Sequence, residues 1–460
     1  MATVPDLAWN GSIPSPNNTA PQRVDLSLTD LVLHYSTNDL VLLDNAAMNL
    51  SLSVIDNGNG SLIAYTSKYN LVVSYGQSLS INGRLPRLST TAVTDNLCFG
   101  TRPANTVVSS PLFTQAGPAA FAALTSAFGA EVPVISLADR LRRDMLQTWS
   151  LASDSTRMLV ANAAGTGGQN IAELSKGASP EIYASVVDLV DKCMIAAAAV
   201  PGTCAVATLA YFQGEADYVD GTSENDYYNA VQTLYSDYLT DLMASSSQTA
   251  PFPMFISQAN SVYDTANGIC AVGNAQIRLG TDGLAAIYLI GPNYGYKNAA
   301  NHPTSDGYRN LGEKMAQVVH KVQVLQQGWK PLYCINAQFR RKHVLLTMHT
   351  PEPPLQVQQT YVGTTLTTIA DYGFEIYDDD GPNPIVAITL YNSIIDIECT
   401  RPLLTAKHPH VQYAGVNYGG EGNICDSDTG VSYYADSVSA APYPMWNWLC
   451  SFDKLIVNDE

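Results

Sequence analysis

The stretch "VVSYGQSLS", Val72 to Ser80, decides how this chain is read. An apolar, β-branched run (Leu71, Val72, Val73) stops at Tyr75-Gly76-Gln77-Ser78 and gives way to Asn82-Gly83 and Pro86. A strand that ends on a glycine and then a hydroxyl residue can hold that hydroxyl at the carboxyl edge of a sheet, where open α/β folds place their chemistry. Ser78 is thereby a candidate nucleophile. Gly and Ser are also the ordinary material of strand ends, so the tripeptide alone reads as a polar turn.

The texture around it favours an α/β region. Short, nearly continuous apolar runs at Leu71–Ser74, Met158–Ala163, Cys204–Tyr211, Phe252–Ser257 and Ala285–Ile290 read as strands covered on both faces. Helical patterns at Leu137–Trp149, Pro180–Val200, Glu224–Ala244 and Tyr308–Val324 lie between or after them, with Ser179-Pro180 and Ser223-Glu224 as capped starts. Strands separated by helices imply a five-stranded parallel, doubly wound sheet. Before it, residues 1–66 alternate polar and apolar positions ("VDLSLTDLVLHY", "NLSLSVIDNGNG") and read as a β-rich arm. After residue 328 the helices vanish; "HVLLTMHT", "GFEIYD", "IVAITLY" and "IIDIECT" predict a β-sandwich over 329–460.

Reading the strand ends in order turns Ser78 from a turn residue into part of a set. The second strand runs into "NAAGTGGQN", where Gly165, Gly167 and Gly168 let a backbone N–H approach a ligand closely. The third ends "AYFQGEADY", bringing Gln213, Glu215 and Asp217 to the same edge, and burying such groups without a purpose is costly. Serine needs a base. Of seven histidines, His34, His320, His343, His349, His408 and His410 fall in the N-terminal strands, in mid-helix or in the C-terminal β region; only His302, in "NAANHPTSDGYRNLGEKMA", follows the last α/β strand. A hydroxyl, a glycine amide, a carboxamide and an imidazole are what an acyl-transfer site needs.

This order of blocks resembles the SGNH/GDSL hydrolase superfamily, in the branch containing sialate O-acetylesterases and acetylxylan esterases. The residues that carry the resemblance are Gly76-Gln77-Ser78, Gly167-Gly168, "FQGEAD" (Phe212 to Asp217) and His302-Pro303, spread over Leu71 to Val324. The resemblance implies a flavodoxin-like three-layer fold over residues 67–328. It implies Ser78 as nucleophile, His302 as general base, the Ser78 and Gly168 N–H groups with the Gln213 side chain as oxyanion donors, and no metal or other cofactor. The family usually carries an Asp three residues before the histidine, where this chain has Ala299. His302 is then oriented by a backbone carbonyl or by another carboxylate, with Glu215, Asp217 and Asp306 as candidates. An alternative is a decayed site that only binds sugar.

Composition narrows the partners. A net charge of −18 with 14% charged and 46% hydrophobic residues describes a packed globular chain that repels nucleic acid and anionic membranes. No run of eighteen apolar residues occurs, and "MATVPDLAWNGSIPSPNN" lacks a basic and an apolar signal region. Eight cysteines without a CxxC pair read as buried thiols. "YDDDG" and "CDSDTG" read as acidic turns rather than calcium loops, and "PYPMWNWL" as core. A β arm, an SGNH-like region and a β-sandwich without a signal peptide resemble a bacteriophage tail protein, which implies a virion location, an acetylated bacterial polysaccharide as substrate and a homotrimer or other virion tail proteins as partners. The alternatives are a cytoplasmic or extracellular xylan or sialic-acid acetylesterase and a binding module with a vestigial site.

Overall fold

The computed structural model describes residues 65–458 except 82, 102, 107–118, 127–129, 199–203, 300–301 and 404–405. The expected N-terminal β-rich arm lies almost wholly outside the described residues. The central sheet is built on β1 (Tyr69–Gly76), with β2 (Leu97–Phe99), β3 (Ala104–Thr106), β4 (Phe121–Ala123), β5 (Met158–Gly165), β6 (Cys204–Phe212), β7 (Met254–Gln258) and β8 (Ile287–Pro292). Its order is β4-β2-β5-β1-β6-β7-β8, with β3 paired to β5. The five expected strands are mutually parallel, but β4 runs antiparallel to β2. The sheet is therefore eight-stranded and mixed, not the five-stranded parallel sheet expected. The extra strands are three residues each, too short to leave a period in the sequence.

Every residue of β1 is buried, which fits its apolar Leu71-Val72-Val73 run. Leu71, Val73 and Tyr75 point into one hydrophobic cluster and Val72 into another, so alternate side chains feed two cores. After the one-turn helix α1 (Ser78–Ile81), helix α2 (Pro133–Thr148) starts with proline at its first positions, where no N–H is needed. Helices α3 (Ile171–Leu174), α4 (Ala184–Ala198), α5 (Glu215–Asp220), α6 (Glu224–Ser246), α7 (Ala271–Thr281) and α8 (Ser305–Val319) follow. Residues of α4, α6 and α7 fill one cluster; residues of α2 and α8 fill the other. The result is three layers. Helix α4 begins later than the expected Pro180, and α7 was not anticipated.

From Tyr333 onward the chain forms additional β structure. A five-stranded sheet (including Tyr333–Arg340, His343–His349, Ile385–Tyr391 and Ile394–Cys399) and a four-stranded sheet (including Phe374–Asp378 and His410–Tyr413) share one hydrophobic cluster. Their alternating buried residues, such as Val344, Leu346, Ile395 and Ile397, are the period-2 signal of the sequence. This region docks on the α/β region by paired contacts: Ser451 N donates to Gln258 Oε1 at 2.7 Å and Gln258 Nε2 donates to the Ser451 carbonyl at 2.9 Å. The Asp426 carboxylate of "CDSDTG" accepts from the N–H groups of Glu352, Asp428 and Asn447, and Asp378 of "YDDDG" pairs with Arg401. All eight cysteines are buried and unpaired. Among the described residues no helix is long and apolar enough to cross a membrane.

Candidate active site

Strand β1 ends where it does because Gly76 has no alternative. Its φ is +140° and a Cβ there would lie 2.1 Å from the Phe212 carbonyl oxygen, so a side chain is excluded twice over. Gly165, opposite it in register, would clash in the same way with the Gly76 carbonyl at 2.0 Å. The backbone then turns sharply: Gln77 N donates to Phe212 O at 3.0 Å and Ser80 Oγ donates to Gln77 O at 2.7 Å. Ser78 emerges as the first residue of α1 at the carboxyl edge of the sheet, 9% exposed.

His302 meets it there. Its Nε2 lies 2.8 Å from Ser78 Oγ although 224 residues separate the two in the chain. A neutral imidazole in that position accepts the hydroxyl proton and raises the nucleophilicity of the oxygen. His302 is carried by a two-residue ladder in which β9 (Asn298–Ala299) pairs antiparallel with β10 (His302–Pro303), so that Ala299 sits directly opposite His302. Thr304 then caps α8, its Oγ1 accepting from Gly307 N at 3.2 Å. The imidazole is thus placed by a hairpin joined to a helix start.

The three carboxylates weighed as orienting groups have other work. Asp306 accepts from Ser437 N at 2.9 Å, Ser437 Oγ at 2.6 Å and the Tyr443 hydroxyl, all from the C-terminal β region. Asp217 accepts from Ile171 N at 2.8 Å, Thr222 Oγ1 at 2.9 Å and Gln213 Nε2. Glu215 accepts from Gln77 Nε2 at 2.7 Å and Asn293 Nδ2 at 3.4 Å. Burial pushes the Glu215 and Asp217 carboxyl groups up, against the pull of these donors.

Ser78 and His302 line an open cavity of about 630 Å³ together with Gln77, Gly167, Gly168 and Glu215. Gly168 has φ +75° and nothing within 4 Å of a built Cβ, so its backbone is bared to that space. Gln213 differs from expectation. It is 1% exposed and does not line the cavity. Its Nε2 donates to Asp217 and to the Gln169 carbonyl at 3.3 Å, which uses both amide hydrogens. Its Oε1 accepts from the Tyr227 hydroxyl at 2.9 Å. In this arrangement Gln213 ties the glycine turn to α5, and no donor remains for an oxyanion.

Residues 130–321 match the sequence profile of the SASA family, "Carbohydrate esterase, sialic acid-specific acetylesterase". That span contains Gly168, Gln213 and His302 and leaves Ser78 outside. Among solved structures, a carbohydrate acetylesterase from Xanthomonas citri superposes with a TM-score of 0.53 at 14% identity, over 84% of this chain and 80% of that one. The matched span and the shared fold support an esterase. A protein from Arabidopsis thaliana matches this chain with a TM-score of 0.38 at 14% identity over 54% of this chain and 97% of that one. The aryl esterase of M. smegmatis does so with a TM-score of 0.30 at 11% identity over 55% and 99%. No curated protein sequence matches.

Cavity residues of the esterase that the sequence reading passed over include Tyr263, Asn293 and Glu421. Tyr263 lies in a short turn (Ser261–Tyr263) just past β7. The rule applied to the other strand ends finds it. Glu421 comes from the C-terminal β region, and no local pattern marks it.

Proposed function

We propose that this esterase removes O-acetyl groups from a carbohydrate, with Ser78 as nucleophile and His302 as general base. The observation that carries the reading is the 2.8 Å approach of His302 Nε2 to Ser78 Oγ beside an open cavity. The acetyl group and the sugar alcohol are supported by the description of the matched family. Ser78 Oγ attacks the ester carbonyl carbon while its proton passes to His302 Nε2. The carbon–oxygen bond to the sugar breaks, His302 returns that proton to the departing sugar oxygen, and Ser78 is left acetylated. Water then attacks the acyl-enzyme, giving its proton to His302; acetate leaves and Ser78 Oγ recovers the proton. The backbone N–H groups of Ser78 and Gly168 are the oxyanion donors in this scheme, and Gln213 holds the Gly168 turn in place.

The setting in this reading is a bacteriophage tail acting on an acetylated bacterial surface polysaccharide. Its support is the sequence order of β-rich, α/β and β-rich regions. The test is acetate release from p-nitrophenyl acetate and from an acetylated bacterial polysaccharide, set against acetylated xylan. Ser78→Ala is expected to lower the rate by about 10⁴-fold or more on every substrate. An active Ser78→Ala enzyme removes the nucleophile assignment. Wild type that binds polymer but releases no acetate is a binding module.

A further inference from the structure

We infer that a small cavity beside His302 recognises the hydroxyl groups of the ester-bearing sugar and selects uncharged sugars over carboxylated ones. The inference rests on the esterase reading above and concerns the same site. The cavity measures about 100 Å³ and shares Leu79, Glu215, Tyr263 and His302 with the larger one. That is room for roughly three water molecules, which suits the hydroxyl-bearing edge of a ring and not a second ring.

Its walls come from both halves of the chain. Asn293 follows β8 and Asn298 lies in β9, while Gly419 and Glu421 belong to the C-terminal β region. The segment carrying Glu421 is seated tightly: a Cβ on Gly420 would lie 1.9 Å from Asn260 Oδ1. The β region therefore completes the site instead of merely flanking it.

The polar groups there are acceptors in search of donors. Asn293 is 8% exposed; its Nδ2 is given to Glu215, and its Oδ1 is buried with no partner. Gln77, 3% exposed and lining the larger cavity, gives Nε2 to Glu215 and likewise leaves Oε1 buried without a partner. A buried acceptor without a donor is costly. The Glu421 carboxyl faces the same space, held up to about 7 by burial against the Asn298 amide.

Charge then sets the class of sugar. Glu215 and Glu421 with Glu173 and Asp220 give the two cavities four carboxyl groups, and among the described residues no Lys or Arg lines either. Arg84 donates to the Ala299 carbonyl and lines neither. A uronate or sialate would enter a site lined by carboxyl groups and find no cation among the described lining residues, whereas a sugar hydroxyl can pair with those carboxyl groups.

The experiment compares kcat/KM on an acetylated neutral xylo-oligosaccharide, on 9-O-acetyl sialic acid and on p-nitrophenyl acetate, for wild type, Glu421→Ala and Glu421→Gln. Wild type is expected to favour the neutral sugar ester over the sialate ester by tenfold or more. Glu421→Ala is expected to lower the ratio of xylo-oligosaccharide to p-nitrophenyl acetate activity by about tenfold, chiefly through KM, and Glu421→Gln to recover part of it because the amide oxygen still accepts. Equal wild-type efficiency on both sugar esters, or a loss in Glu421→Ala shared equally by all three substrates, overturns the subsite and leaves the esterase standing. Wild type inert on p-nitrophenyl acetate overturns the esterase reading itself, and the subsite with it.

Discussion

The two partners of the proposed catalytic pair are held by different kinds of structure. Ser78 is fixed from below by its own strand: Gly76 and Gly165 stack in register, and Gln77 is bonded to the end of β6. His302 is fixed from the side. Its hairpin is tied by Asn298 N to Gly363 O at 3.0 Å, by the Lys297–Asp436 ion pair, and through Asp306 to Ser437 and Tyr443. Ser78 is positioned by the pairing of neighbouring strands in the central sheet, and His302 by contacts roughly 60 to 140 residues distant in sequence. Substitutions should therefore behave differently on the two sides.

The largest effect tests the pair itself. His302→Ala is expected to lower kcat on p-nitrophenyl acetate by about 10⁴-fold, close to the loss in Ser78→Ala, because two groups acting as a unit fail together. The double variant should lose little more than either single one. A His302→Ala enzyme within tenfold of wild type would mean that another group takes the proton.

Gln213→Ala separates a positioning role from an oxyanion donor. If Gln213 anchors the Gly167-Gly168 turn, its loss should lower kcat by roughly tenfold to a hundredfold through misplacement of the Gly168 N–H, and should also lower Tm. The stability loss follows because Asp217, already pushed up by burial, forfeits a donor. A fall in kcat with Tm unmoved would instead make the carboxamide a direct donor to the reacting oxygen.

These contrasts explain what the sequence could reveal. The five main strands of the α/β region are largely apolar, and β1 and β5 end on glycine, so their carboxyl edge was legible, and with it the candidates Ser78, Gly168 and His302. The three short strands before β5 were not, since three residues carry no period. The direction of Gln213 was equally hidden: its type and place matched an oxyanion donor, but its orientation is decided by Asp217, Gln169 and Tyr227 around it. Ala299 looked like a missing part. In the structure its backbone is the hairpin partner of His302, a role that any side chain can fill. The contribution of Gly419 and Glu421 depends on how the β region docks, and docking leaves no pattern in a single segment.

On the base side, Asp306→Asn keeps a similar shape while weakening three hydrogen bonds to Ser437 and Tyr443. A drop of about threefold to tenfold in kcat is expected, with the nucleophile side intact. Covalent labelling of Ser78 by an organophosphate, which also needs the base, should slow in proportion to kcat. Labelling at the wild-type rate with kcat reduced would place the defect in a later step and remove the coupling between Asp306 and His302.

The smallest effect concerns the wall that joins the two regions. Burial holds the Glu421 carboxyl up to about 7 from an ordinary 4.5. Its cavity neighbours that can titrate or carry charge are Glu215, Tyr263 and His302. Between pH 4.5 and about 7 the folded chain keeps the Glu421 proton that the unfolded chain has released, so this group makes stability fall as pH rises through that window. Glu421→Gln removes the term. Its Tm relative to wild type should therefore rise between pH 5 and pH 8, by a few degrees at most, because the cavity is open to the larger one and solvent screens the charge. A Tm difference that is flat across this range would show that Glu421 ionises as an exposed carboxylate does, and that the β region lies against the esterase without enclosing this cavity.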